Sequence, residues 1–245
     1  MSLHESLIYP DWPAPAGVKA LQTTRLGGIS AAPYDTLNLG LHVGDDPVRV
    51  NRNRQLLEPL LPSEPVWLEQ VHGTVVANAD AADCRVQADA CIARRRGSVC
   101  VVMTADCLPV LLCDEDGTVV GAAHAGWKGL AAGVIEATVK EMGVAPQKLM
   151  AWLGPTIGPH AFEVGEDVRT AFMRQDAKAA AAFTPHGLEG KYLADINLLA
   201  RQRLNALGIS RVYGGTFCTY HQKDKFYSYR RDGVTGRMGT FIWLA

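Results

Sequence analysis

The sequence has almost no net charge: 24 Lys and Arg against 25 Asp and Glu leave −1 at neutral pH, with a pI near 6.6. Nothing in that balance points to a nucleic-acid partner or an anionic membrane, and neither is expected. The opening "MSLHESLIYPDWPAP" lacks a basic n-region and an apolar h-region, so no secretory signal is expected and the expected location is cytoplasmic. A membrane span is missing too. The longest apolar run, Val99 to Cys113, is broken by Asp106 and Pro109 and is too short for a bilayer. The six cysteines (84, 91, 100, 107, 113 and 218) contain no CxxC pair and no regular framework. Reduced thiols are the expectation, most of them small buried hydrophobes. No internal repeat, low-complexity linker or composition break divides the chain, so residues 1–245 read as one domain.

What is present is an ordinary globular composition, 48% hydrophobic and 20% charged. The first 60 or so residues are rich in turns, with a helix expected from Pro47 to Leu60. From Val66 onward, short β-branched or apolar stretches follow one another: "VWLEQVHG", "TVVANA", "ADACIAR", "SVCVVMTAD", "LPVLLC" and "TVVGAAHA". Helical spacing runs from Gly129 to Met142, then in "GEDVRTAFMRQDAKAAAAF" and in "DINLLARQRLNALG", where Asp195 reads as N-cap and Gly208 as the stop. "KLMAWLG" and "RVYGGTFCTY" read as strands, and "FYSYRRDGVTGRMGTFIWL" as a hairpin around "DGVTG". Strands cluster and helices cluster, which favours an α+β assembly over a doubly wound one.

"TADCLPV", residues 104–110, is the anomaly. A buried carboxylate costs several kcal/mol (~3–5) unless paired, and proline removes a ladder donor. Pro109 reads as a bulge or edge device ending regular pairing. The stretch and the following strand form a hairpin through "DEDG", Asp114–Gly117. A turn centred between Glu115 and Asp116 sets Cys107 opposite His124, with Cβ atoms about 5 Å apart. A turn centred on Asp116-Gly117 sets His124 diagonal to Cys107 on the same face, whereas a three-residue loop would put them on opposite faces.

A Cys and a His on one face read in three ways: two core side chains, a thiolate–imidazole nucleophile pair, or part of a metal site. "EQVHG" offers a third ligand, His72, at a strand end before Gly73. One Cys and two His fit zinc with an open fourth position, which acidifies a coordinated water towards neutral pH. Asp106 is then a candidate general base or a support for the ligands, or simply a cap on nearby backbone. Arg25 in "TTRLGG", Asn38 and His42 in "LNLGLHVGD", and Arg230 beside Arg231 and Arg237 in "SYRRDGVTGR" are candidate substrate contacts. The alternative for each arginine is a solvated or ion-paired surface group.

Together the motifs resemble one family over nearly the whole chain: Thr24-Arg25-Leu26-Gly27-Gly28-Ile29-Ser30, Tyr34–Gly40, "QVHG", "TADCLPVL", "HAGWKG", "GPTIGP", "FEVG" and "SYRRDGVTGR". This is the multicopper polyphenol oxidase (laccase-domain) family, also called YfiH-type or peptidoglycan editing factor. The resemblance implies a layered α/β/β/α sandwich with mixed sheets, similar to the catalytic domain of cytotoxic necrotizing factors, and zinc on His72, Cys107 and His124. It also implies a small-molecule substrate, a purine nucleoside with phosphate or a muramyl precursor; with the charge balance above, neither a nucleic-acid nor a membrane partner is expected, and oligomeric state stays open. Family members with cysteines after "IGP" differ here, since this chain has Pro159-His160-Ala161-Phe162. Three activities attach to the family. They are phosphorolysis of adenosine, inosine, guanosine and methylthioadenosine with adenosine deaminase activity; hydrolytic editing of a peptidoglycan precursor, a UDP-MurNAc carrying L-serine; and copper-dependent phenol oxidation. A multicopper centre needs about four coppers and many imidazoles, whereas this chain has seven histidines and no His-x-His. Copper is therefore expected only as an alternative or adventitious metal. A metal-free cysteine hydrolase, with Cys107 as nucleophile and His124 as base, is the contrasting expectation.

Overall fold

The apolar run at 99–113 is shared between two sheets. Val99–Thr104 form one strand and Leu108–Asp114 another, and Ala105-Asp106-Cys107 carry the chain across. The computed structural model describes residues 3–81 and 86–245, so Cys84 lies outside the described residues. In chain order the strands are β1 (Val18–Gln22), β2 (Leu68–Glu69), β3 (Val76–Asn78), β4 (Val86–Gln87), β5 (Ala90–Ala93), β6 (Val99–Thr104), β7 (Leu108–Asp114), β8 (Val120–Ala125), β9 (Leu149–Leu153), β10 (Glu163–Gly165), β11 (Phe183–Pro185), β12 (Lys191–Ala194), β13 (Arg211–Gly214) and β14 (Met238–Leu244). The helices are α1 (Pro47–Gln55), α2 (Trp127–Ala132), α3 (Val134–Met142), α4 (Glu166–Met173), α5 (Ile196–Ala206) and the single turn α6 (Tyr229–Asp232). None is long and apolar enough to cross a membrane among the described residues.

β1, β14 and β6 form an antiparallel sheet. The larger sheet runs β13-β9-β7-β8-β5-β3, antiparallel around β7 and β8 and parallel at both rims. Period-two alternation on β6 stacks them. Cys100 and Val102 meet Leu111, Cys113, Val120 and Ala122 between the sheets, while Val99, Val101 and Met103 turn the other way onto Leu37, Leu39 and Leu57. The outer face of the larger sheet is covered by Leu130, Val134 and Ile135 from α2 and α3 and by Leu199 and Leu204 from α5. Each such buried side chain contributes about 1.5–3 kcal/mol, so this alternation sets the stack. The fold is α+β in an α/β/β/α order with mixed sheets, as expected.

Four local expectations change. The first helix stops at Gln55 and resumes only as a 3-10 turn at Glu58–Leu60, because Pro59 has no N–H and its ring crowds the carbonyl four residues back. The helix expected over Gly129–Met142 is two helices, divided at Gly133 with φ +102°, a conformation glycine adopts without strain. After Met173, the Asp176 carboxylate takes the Lys178 N–H and starts a separate 3-10 segment at Ala177–Ala182. The expected final hairpin is α6 followed by one strand, because the Ser228 hydroxyl accepts the Arg231 N–H and caps a helical turn.

The β7–β8 hairpin adopts the Asp116-Gly117 centre. Pro109 pairs with His124, so His124 is diagonal to Cys107. Pro109 lies in a central strand rather than at an edge. Its carbonyl accepts the Gly154 N–H at 2.9 Å, and its missing donor faces Gly154, just past the end of β9.

Candidate active site

The sheet crossover holds Cys107, the end of β8 holds His124, and the turn after β2 holds His72. The N and S donors of these three lie within 4.8 Å of one another, the one such group of three or more among the described residues. Gln70 fixes the approach of His72: its amide donates to the Met103 carbonyl at 2.8 Å and accepts the Met103 N–H at 2.7 Å, imitating a strand beside β6. His72 then turns with φ +62°, sparsely populated for a non-glycine residue and costing about 1–3 kcal/mol.

Asp89 holds that turn, and it is the residue the sequence reading missed. Its side chain has no exposed surface. One oxygen accepts the His72 N–H at 2.9 Å and His124 Nδ1 at 2.8 Å; the other accepts the Val71 N–H at 3.1 Å and the Gly73 N–H at 2.6 Å. One carboxylate therefore fixes both histidines, His124 through its ring and His72 through its backbone. The available signal was an acid opening an otherwise apolar strand in "ADACIA", the same kind of anomaly as "TADC".

With Nδ1 of His124 engaged, its Nε2 is left for the centre. Burial works to raise the Cys107 thiol, but the charge of His124 and hydrogen bonds from both histidines outweigh it and bring it down to about 6. Burial likewise opposes the His124 imidazolium, and the Cys107 charge together with Asp89 lifts it to about 9. Sγ of Cys107 lies 3.8 Å from Nε2 of His72. Tetrahedral zinc, with Zn–S near 2.3 Å and Zn–N near 2.0–2.1 Å, spaces such donors by roughly 3.6 Å. The donor set fits the metal. Gly126 closes the underside, since a Cβ there would come within 2.8 Å of His72 and 2.9 Å of Cys107.

Asp106, with φ +88°, is spent on hydrogen bonds. Its carboxylate accepts the hydroxyls of Thr219 at 2.6 Å and Ser228 at 3.0 Å and the Arg230 N–H at 2.7 Å; its carbonyl takes the Thr156 hydroxyl and the Ile157 N–H. These bonds assemble one wall of a cavity of about 140 Å³ that reaches Cys107 and is otherwise lined by Trp127, Phe162, Ile196, Tyr229 and Arg230. Arg230 stacks 5.7 Å from the Phe162 ring and donates to the Glu163 carbonyl. His42 is exposed on two further cavities, one lined by Arg54, Trp67 and Met103, the other by Tyr229, Thr235 and Arg237. Tyr229 thus separates an aromatic cavity from a cationic one.

Two candidate contacts serve the scaffold. Arg25 donates to the Asp35 carbonyl and carboxylate and to the Lys223 carbonyl, and lies over the Tyr227 ring. Asn38 is fully buried; its amide donates to Gly40 and Asp45, and its oxygen accepts the Gly40 and Arg237 N–H groups.

Residues 19–245 match the family described as multi-copper polyphenol oxidoreductase laccase. The chain is 56% identical over 241 residues to an Escherichia coli protein named purine nucleoside phosphorylase YfiH, covering 97% of this chain and 98% of that one. A Pseudomonas aeruginosa purine nucleoside phosphorylase is 54% identical over 235 residues, covering 96% and 97%. Among solved structures, a Neisseria meningitidis protein superposes with a TM-score of 0.94 at 51% identity, covering 98% and 99%. YlmD from Geobacillus stearothermophilus superposes with a TM-score of 0.81 at 31% identity, covering 95% and 93%. This chain belongs to the multi-copper polyphenol oxidoreductase laccase family.

Proposed function

We propose that this chain is a zinc-dependent purine nucleoside phosphorylase whose centre is His72, Cys107 and His124. The observation that carries the reading is the three-donor cluster, whose Cys107 opens onto an aromatic cavity that shares Tyr229 with a cationic one, in a chain 56% identical to a protein so named. Trp127, Phe162 and Tyr229 offer faces for a planar purine. Asp106 holds that wall through Thr219, Ser228 and the Arg230 amide. Asp89 keeps both histidines oriented, and Cys107 supplies a thiolate. A zinc ion bound there supplies Lewis acidity for oxygen atoms of the substrate.

Phosphorolysis forms a bond from a phosphate oxygen to the ribose C1′ and breaks the C1′–N9 bond. The electron pair leaves on the purine, which takes up a proton. The chain's own contribution is to hold the two reactants in register, and proximity alone supplies about 7–11 kcal/mol in favourable cases. Deamination of adenosine is proposed at the same centre as a water-dependent reaction.

Product analysis with adenosine, with and without phosphate, tests the reading. Ribose-1-phosphate is expected only with phosphate, and inosine in both arms. The zinc requirement is tested by metal analysis: about one zinc per chain is expected, with turnover lost in chelator and restored by zinc. Full activity in chelator with no bound metal would sink it in favour of a cysteine nucleophile, and restoration by copper alone would replace zinc. Release of free serine from an L-serine-bearing muramyl precursor, with no turnover of nucleosides, would shift the assignment to precursor editing.

A further inference from the structure

The cationic cavity has an architecture of its own. Arg237 is half-buried and takes part in no ion pair among the described residues. Among the described residues only one of its guanidinium nitrogens has acceptors, the carbonyls of Thr235 and Gly236 at 3.0 Å. Burial lowers its pKa against the opposing charges of Cys107 and Asp106, neither of which pairs with it directly, and a partly buried guanidinium with no ion pair favours an incoming anion. Thr235, in the same wall, has a buried hydroxyl with no hydrogen-bond partner among the described residues.

The "LNLG" segment delivers this arginine. Asn38 accepts the Arg237 N–H at 2.9 Å, Leu39 N–H donates to the Arg237 carbonyl at 3.1 Å, and a Cβ on Gly40 would come within 2.9 Å of the Arg237 stem. The Leu39 carbonyl also takes two donors of Arg54, at 2.8 and 3.1 Å. Two segments nearly 200 residues apart in sequence thus set two guanidiniums on either side of His42. Burial first, and then the charges of Arg237 and Arg54, hold the His42 imidazole below its ordinary value. The carboxylates in these walls are Glu69, which is exposed, and Asp232, which Arg231 holds at 2.7 Å.

Resting on the phosphorylase reading, we propose that inorganic phosphate binds in this cavity, held by the fork of Arg237 with His42, across Tyr229 from the purine. An aromatic cavity that reaches Cys107 and a cationic one across Tyr229 separate a neutral base from a phosphate dianion. The C1′ between them is then approached by phosphate from the side away from the base. Planar guanidiniums suit phosphate oxygens by paired hydrogen bonds, and a partly buried site strengthens them.

The test varies phosphate at saturating inosine in the full-length zinc-loaded protein, comparing wild type with Arg237→Gln and Arg237→Lys, with zinc content and melting temperature measured alongside. The phosphate KM is expected to rise about ten-fold or more in R237Q and less in R237K, which keeps charge without the fork. The inosine KM is expected to move by less than about three-fold, since base contacts are untouched. An unchanged phosphate KM in folded, zinc-replete R237Q overturns the proposal. His42→Gln, on an exposed loop, gives the same reading should R237Q fail to fold. Calorimetric titration of inorganic phosphate, without nucleoside, separates the two claims. Phosphate bound by wild type and lost in R237Q, with no turnover of any nucleoside, would retain the site and reject the phosphorylase. Phosphate-dependent turnover with R237Q binding as wild type would do the reverse.

Discussion

The two ends of β7 carry the same pair of residue types, an aspartate and a cysteine, with opposite chemistry. At the hairpin end, Cys113 is buried between the sheets; burial and then the neighbouring Asp114 charge push its thiol up to about 12. At the crossover end, His124 and His72 bring Cys107 down to about 6. Asp114 closes a turn, accepting the Thr118 N–H and hydroxyl and the Val119 N–H. Asp106 joins three loops into the wall of a cavity. The difference is what lies beyond the strand. One end meets a short local turn whose partners are all within five residues; the other meets loops from across the chain.

Removing one thiol at each end is the strongest test of that contrast. Cys107→Ala is expected to lose bound zinc and to lower phosphorolysis by about 100-fold or more, beyond the 10–100-fold typical of groups that only support a metal. Cys113→Ala is expected to keep zinc and turnover while lowering stability by about 1–2 kcal/mol, the cost of a small cavity. Metal analysis, initial rates and urea denaturation read the three effects. Equal losses of activity would erase the distinction between the ends.

Asp89→Asn comes next. It retains volume but places an amide among four donors, so both histidines loosen. Zinc affinity is expected to fall about 10–100-fold, measured by competition with a chelator. Turnover should recover at saturating zinc.

A third test compares the thiols by pH in metal-free protein. Cys107 is lowered from about 9 to about 6, so iodoacetamide should label it readily at neutral pH and more slowly as pH falls through 6. Cys113, raised to about 12 and enclosed, should be labelled only after unfolding. The stability linkage has a definite sign. The depressed Cys107 pKa contributes stability that is lost as pH falls through 6. The raised His124 pKa contributes stability lost as pH rises through 9. These are two views of one thiolate–imidazolium pair, so the metal-free protein should be most stable between them.

The contrast also marks what could be read in advance. The hairpin end is local, and the Asp-Gly turn was enough to bring Cys107 and His124 to one face. "QVHG" supplied His72 because glycine after a strand-end histidine frees its ring. The layering came from family resemblance, since alternation names faces but not which faces meet. Asp89 escaped notice because its four partners come from residues 71–73 and 124, and nothing local in "ADACIA" points to them. Arg25 and Asn38 looked available because a loop sequence does not reveal that Asp35, Lys223 or Arg237 lies beside them. For the same reason Arg237, the arginine that faces the cationic cavity, was one of three around a turn. The crossover at Ala105-Asp106-Cys107 was legible only as an anomaly, because its sheet change is paid for by Thr219, Ser228 and Arg230 more than a hundred residues later.

The smallest expected effect lies at the hairpin end. Asp114→Asn keeps an oxygen for the Thr118 and Val119 N–H groups, and the Thr118 hydroxyl can rotate to accept from the new amide. What is lost is charge. Burial raises the Asp114 carboxyl, but hydrogen bonds from Val119 and Thr118 outweigh it and hold it below the ordinary carboxylate value. A depressed folded-state pKa contributes stability above the unfolded value that is lost as pH falls through the folded one. The substitution should therefore cost about 1 kcal/mol at neutral pH, a difference that disappears in acid as wild type is protonated. Zinc content and both KM values should stay at wild-type levels. A drop in turnover from Asp114→Asn would show that the turn and the centre are coupled along β7, and that the two ends are not independent.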